Sequence, residues 1–128
     1  MKRILLDTHV LLWWLADNPR LGSEARNLIG AAANSVYVSA ATTWEIAIKQ
    51  GIGKVTAPDD LDSIVDLEGF EKLPISLYHG QQAGRLPLLH RDPFDGMLVA
   101  QAKAEGLTVM TANRHIAIYD VNTLDAGR

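Results

Sequence analysis

The feature that most constrains this chain is the alternation of short apolar runs with stretches of helical pattern. "RILL" ends at Asp7, and "THVLLWWLAD" follows at once with helical spacing until "NPR" at 18–20. Ser23 resembles an N-cap for "EARNLIGAAA". "SVYVSA" predicts a second strand, and "TTWEIAIKQG" a helix closed by Gly51. Beyond the turn-rich "IGKVTAP", "DDLDSIVDLEGF" reads as a short helix and "KLPIS" as an extended segment. "LYHGQQAGRL" reads as a weaker helix broken by Pro87. "PFDGMLVAQAKAEG" predicts a helix ending at Gly106, "LTVMTA" a strand, and "YDVNTL" a last one. Short apolar strands alternating with helices predict an α/β fold. Its mainly parallel central sheet is covered on both faces. In such folds ligand sites form beyond the carboxyl ends of the strands.

A chain of 128 residues fits one domain, 1–128, around one core. It has no cysteine, which excludes disulfides and thiolate metal sites. A net charge of −3 does not suit a nucleic-acid binder that works by bulk electrostatics, but leaves room for a local basic patch or a metal-assisted site. Lys2 and Arg3 imitate the start of a secretory leader. Asp7 and His9 interrupt the apolar stretch, however, and no small-residue cleavage site follows. No apolar run reaches the ~18 residues a membrane span needs. A soluble, cytoplasmic protein is expected.

The polar groups just after strands are Asp7 and Thr8, Ser39, and Thr111 with Asn113. In "HRDPFDG", Asp92 fits an N-cap, Pro93 the first helical position and Asp95 the third. That explanation is complete for Asp92 but not for Asp95. Residues three, four and seven positions after Asp95 share its helical face, and Leu98, Val99 and Ala102 are all apolar. Glu45 shares a face with Ala41, Ile48 and Ile52, although a surface pair with Lys49 is the simpler account of it. Asp7 ends a strand and begins a helix, where an N-cap and a functional role are about equally expected. Three inward carboxylates from separate segments repel one another if they converge. A divalent cation removes that penalty, and an all-oxygen donor set suits Mg²⁺ or Mn²⁺ in phosphate chemistry.

"LLDTHVLLWWL", "SAATTWEIAIKQGIGKV", "LPLLHRDPFDGMLVAQA" and "LTVMTANRHIAIY" together resemble successive segments of PIN-domain proteins. More narrowly, they resemble the VapC-like toxins of type II toxin–antitoxin systems. The resemblance runs nearly end to end. It implies a PIN-like α/β/α sandwich and a Mg²⁺- or Mn²⁺-dependent ribonuclease. Such a protein forms a homodimer and is held inactive by a cognate antitoxin. The family's acidic site residues correspond to Asp7, Glu45 and Asp95, and hydroxyl positions beside its site to Thr8 and Thr111. Two positions depart from the pattern. Asn113 stands where the family often has aspartate; it ligates through a carbonyl oxygen but brings no charge, and Asp92 could compensate. Gly96 stands where the subgroup often has a basic residue.

The resulting expectation is a metal site of Asp7, Glu45 and Asp95 with Asn113 as a weak ligand. Thr8, Thr111 and Asp92 support it. Lys49, Arg85, Arg91 and Arg114 are candidates to meet RNA phosphates, although solvated surface charge is the simpler account of any one of them alone. His9, His79, His90 and His115 lack metal-ligand spacing and are read as structural or surface residues. Trp13 and Trp14 are adjacent and point to different faces, so one is expected in the core and the other under a second subunit or antitoxin, with base stacking as the less favoured alternative. The alternative to an enzyme is a catalytically impaired PIN-like module that binds a partner protein or RNA. A phospho-acceptor receiver domain and an aspartate-nucleophile phosphatase fit less well. The first lacks a late lysine, since none follows Lys103, and the second would want an acid where His9 stands.

Overall fold

β1 (Arg3–Leu6) is the central strand of a five-stranded sheet in a computed structural model that describes residues 1–87, 89 and 92–128. β2 (Ser35–Ser39) and β4 (Thr108–Thr111) flank it, and β3 (Glu71–Leu73) and β5 (Thr123–Asp125) form the edges. All four pairings are parallel, with Ile4 opposite Val36 on one side and Leu5 opposite Val109 on the other. The helices are α1 (Thr8–Leu15), α2 (Ser23–Gly30), α3 (Ala40–Gly51), α4 (Leu61–Leu67), α5 (Leu77–Arg85), α6 (Pro93–Glu105) and α7 (Arg114–Ala117).

β1 shows why the sheet is a middle layer. Ile4, Leu5 and Leu6 are all fully buried. Their side chains alternate between faces, so a strand with no exposed side must be covered twice. Ile4 and Leu6 join a cluster with Val10 and Leu11 of α1, Ala25 and Ile29 of α2, and Val65 of α4. Leu5 joins the opposite cluster, with Leu98, Val99 and Ala102 of α6 and Ile116 of α7. The molecule is therefore an α/β/α sandwich with an all-parallel sheet.

Three local expectations need correction. Ser23 is the first residue of α2 and not its cap; Gly22 occupies the cap and makes no side-chain cap bond. The reason is long-range. The Glu24 N–H donates to the Arg128 carbonyl at 2.8 Å, and Gly22 N–H to the Ala126 carbonyl at 2.9 Å. A Cβ on Gly22 would lie 1.9 Å from the Arg128 carbonyl carbon, so only glycine fits. α7 was not anticipated. It is a single turn, started by Asn113, whose side chain accepts from His115 N–H at 2.9 Å. Glu45 is buried, but not by the stripe expected of it: Ile48 and Ile52 are 43% and 63% exposed. The buried face of α3 is Ala41, Thr42, Glu45 and Ile46.

Candidate active site

The strand order reverses at β1, which has β2 on one side and β4 on the other. A crevice forms at the carboxyl ends of strands at such a switch point. Asp7 follows β1 directly and caps α1: one carboxylate oxygen accepts from Val10 N–H at 2.9 Å. The other accepts from the Thr111 hydroxyl, at the end of β4, at 2.5 Å. Asp7 is 3% exposed. Its role as a cap thus coexists with a free-energy cost, because burial raises its pKa against the bonds from Thr111 and Val10.

Glu45 enters from α3 and is 4% exposed. It accepts from the Thr8 hydroxyl at 2.6 Å and pairs with Lys49 Nζ at 2.6 Å. The expected helix-surface pair is real, but its acidic partner is buried. Lys49 is thereby committed to Glu45, whose hydrogen bond raises the lysine pKa.

Asp95 enters from the first turn of α6. Asp92 caps that helix by accepting from Phe94 N–H at 2.9 Å and Asp95 N–H at 3.4 Å, and Pro93 takes the first position. This start turns Asp95 onto the buried face with Leu98, Val99 and Ala102. Asn113 reaches back across the crevice and donates from Nδ2 to Asp95 at 3.0 Å. The Asp95 carboxyl is pushed up to about 7, first by burial and then by the negative charges of Asp92, Asp7 and Glu45; Lys49 offsets part of this. Asp7, Glu45 and Asp92 thus all act on Asp95, and Glu45 acts on Asp7. Thr8 and Thr111 are both engaged with these acids, as hydroxyls that hold carboxylates in place.

Other predicted residues lie elsewhere. Arg85, in the last turn of α5, lines a separate cavity of about 340 Å³ with Tyr78, Gln82 and Lys103. Arg114 lies beside Asn113 in a shallow cleft with Thr123 and Asp125. Arg91 and His90 lie outside the described residues. His79 is buried and structural: its Nδ1 accepts from Ser76 N–H at 3.0 Å, and Nε2 faces Glu105 at 3.0 Å. Neither Trp13 nor Trp14 enters the core completely; both are half-buried, and Trp14 packs against Phe70. Sequence reasoning read His9 and Trp13 as structural or packing residues, and the structure places both beside Asp7 on α1. The signal was available, since His9 and Trp13 are four residues apart on the helix that Asp7 starts.

The donor set suits a hard divalent cation: carboxylates and hydroxyls, with no sulfur. The charge suits it too, because the neighbouring charges of Asp92, Asp7 and Glu45 add to burial in raising the Asp95 pKa. As the side chains stand, no three Asp, Glu or His among the described residues are grouped to hold an ion. Each site carboxylate is satisfied by a protein donor instead. Those donors, Lys49 above all, are what a cation would replace.

Fold and site together define an α/β domain with an acidic cleft at its topological switch point. Residues 4–122 match the PIN domain, and the chain belongs to that family. No curated protein matches it. Among solved structures it is similar to VapBC2 from Rickettsia felis bound to a DNA fragment from their promoter, with 18% identity and a TM-score of 0.70 over 95% of this chain and 97% of that one. FitAcB from Neisseria gonorrhoeae is 25% identical, with a TM-score of 0.70 over 96% of this chain and 97% of its own. A toxin–antitoxin complex from Klebsiella pneumoniae is 17% identical, with a TM-score of 0.68 over 96% and 97%.

Proposed function

We propose that the chain is a single-domain, Mg²⁺- or Mn²⁺-dependent endoribonuclease and the toxin of a type II toxin–antitoxin pair. The observation that carries this reading is the convergence of Asp7, Glu45 and Asp95 toward the switch point, near enough that the charges of Asp7 and Glu45 add to burial in raising the Asp95 pKa. Membership of the PIN family and likeness to toxin–antitoxin complexes support it. A homodimer is supported by the exposed α3 stripe of Trp44, Ile48 and Ile52. A cytoplasmic site of action is part of the same proposal; no helix of the described residues is long and apolar enough to cross a membrane.

Asp7, Glu45 and Asp95 would hold the ion, with Asn113 a weak further ligand. A divalent cation supplies an activated water and stabilises charge on phosphate oxygens. Thr111 and Thr8 keep the Asp7 and Glu45 carboxylates oriented, and Lys49 pairs with Glu45 until displaced by a cation. Burial of the acids excludes bulk water from their surroundings. In the overall reaction, water adds to phosphorus and the bond to the ribose 3′ oxygen breaks. That oxygen takes a proton, leaving a 3′-hydroxyl and a 5′-phosphate. Incubation of a mixed RNA pool with Mn²⁺ followed by end-group mapping should find those termini. A 2′,3′-cyclic phosphate would contradict the mechanism.

The impaired-module reading has one observation in its favour. Asn113 donates a hydrogen bond to Asp95 where the resemblance leads one to expect another acid. If it is right, wild-type protein is inert with every metal and Asn113→Asp gains cleavage.

A further inference from the structure

We propose that the cleft on the α1 side of the acidic centre is a nucleotide subsite, which grips a phosphate and its neighbouring base in the strand being cut. The proposal rests on the ribonuclease reading above. The cleft has a volume of about 270 Å³ and is lined by Asp7, His9, Trp13, Arg20, Ala112 and Asn113. Asp7 and Asn113 belong to the candidate active site, so the two are continuous. His9 and Trp13 lie one turn apart on α1, with ring centroids 6.3 Å apart and planes inclined by 47°. The indole is half-buried and packs against the core, which fixes it as a wall of the cleft.

Arg20 supplies the charge. Its backbone is pinned in a turn, where its N–H donates to Asn18 Oδ1 at 2.9 Å, while the residue itself is exposed. Among the described residues no carboxylate pairs with its guanidinium. Nearby Arg26 differs, being paired with Asp17 at 2.6 Å and bonded to the carbonyls of Leu21 and Asn18. An acidic centre repels RNA, so a strand lying across it needs a cation close by. A guanidinium takes phosphate oxygens with its planar fork. An aromatic face stacks bases of any identity, and an imidazole can bond either phosphate or a base edge. A solvated surface arginine explains Arg20 alone, but not its place in one cleft with an anchored indole and two residues of the acidic centre. A nucleic-acid occupant is favoured over a protein segment because the cleft runs into the acidic centre through Asp7 and Asn113, where a strand being cut has to lie.

The test compares wild type with Arg20→Gln, Trp13→Leu and Trp13→Phe. Binding of labelled, mixed-sequence single-stranded RNA is followed by anisotropy in chelator across a salt series, with KM and kcat measured separately in Mn²⁺. Arg20→Gln should flatten the slope of log affinity against log salt by about 0.7, one phosphate contact on a single strand. Trp13→Leu should weaken binding about 10-fold, and Trp13→Phe should restore most of it. Both losses should appear in KM, with kcat within about 2-fold of wild type. Arg20→Gln changes an exposed side chain, so folding cannot explain its effect. Unchanged affinity and salt slope in variants of an active wild type would overturn the subsite. So would unchanged RNA binding accompanied by an altered oligomeric state, which would make the cleft a protein contact. A wild type that neither binds nor cuts RNA removes the ribonuclease reading, and the subsite falls with it.

Discussion

A carboxyl pushed up to about 7, as Asp95 is, makes the metal-free protein sensitive to pH around neutrality. Its value in the unfolded chain is near 3.8, so the folded state binds the proton more tightly. The stability this contributes is complete below pH 3.8 and is lost as pH rises through about 7. Asp95→Asn should therefore raise the thermal midpoint of metal-free protein at pH 8 by about 5 °C, with the gain shrinking toward pH 4. Melting curves in chelator across that range check this, and a gain that grew as pH fell would show that the site charge is not what strains Asp95. Lys49 is the complementary case. It is half-exposed, but its partner Glu45 is buried. Lys49→Gln should cost about 1 kcal/mol in metal-free protein, well short of a fully buried pair. The same variant should bind Mn²⁺ more tightly by calorimetry, because an ammonium no longer competes for Glu45. Weaker binding would mean that Lys49 organises the site instead of competing within it.

At the scale of elements, the start of α6 does two jobs with one turn. Asp92 caps the helix, and the cap sets the rotation that buries Asp95. Asp92→Ala should cost about 1 kcal/mol near pH 5, where Asp95 is neutral. The cost should be smaller at pH 8, where removing Asp92 also relieves repulsion of an ionised Asp95. Denaturant titrations at the two values would show whether the penalty changes in that sense. This turn was fully legible in the sequence, because caps, proline position and helical facing are local relations. β1, β2 and β4 were legible for the same reason, as short apolar runs bounded by polar residues. The cap of α2 was not, because its partner is the carbonyl of Arg128, far away in the chain. The burial of Glu45 was anticipated from Ala41, which is buried, and from Ile48 and Ile52, which prove exposed; it comes from its place beside Thr8 and the sheet end. Helix periodicity tells which residues share a face, but not how far along the helix the covering layer extends.

For the whole molecule, the sheet order decides where chemistry can occur. Placing β1 between β2 and β4 brings the segments after all three strands to one crevice, where Asp7, Glu45 and Thr111 meet. Asp95 joins them from the helix that leads into β4. No one of these segments makes a site alone, and the parallel topology is what converts four separated polar positions into one acidic centre. The most direct test of that account is cleavage of a mixed RNA pool by purified, partner-free protein in Mn²⁺, in Mg²⁺ and in chelator, beside folded Asp7→Asn. The account predicts cutting that needs the metal and falls at least about 100-fold in the variant. Cutting that persists in chelator, or that Asp7→Asn leaves intact, would contradict it.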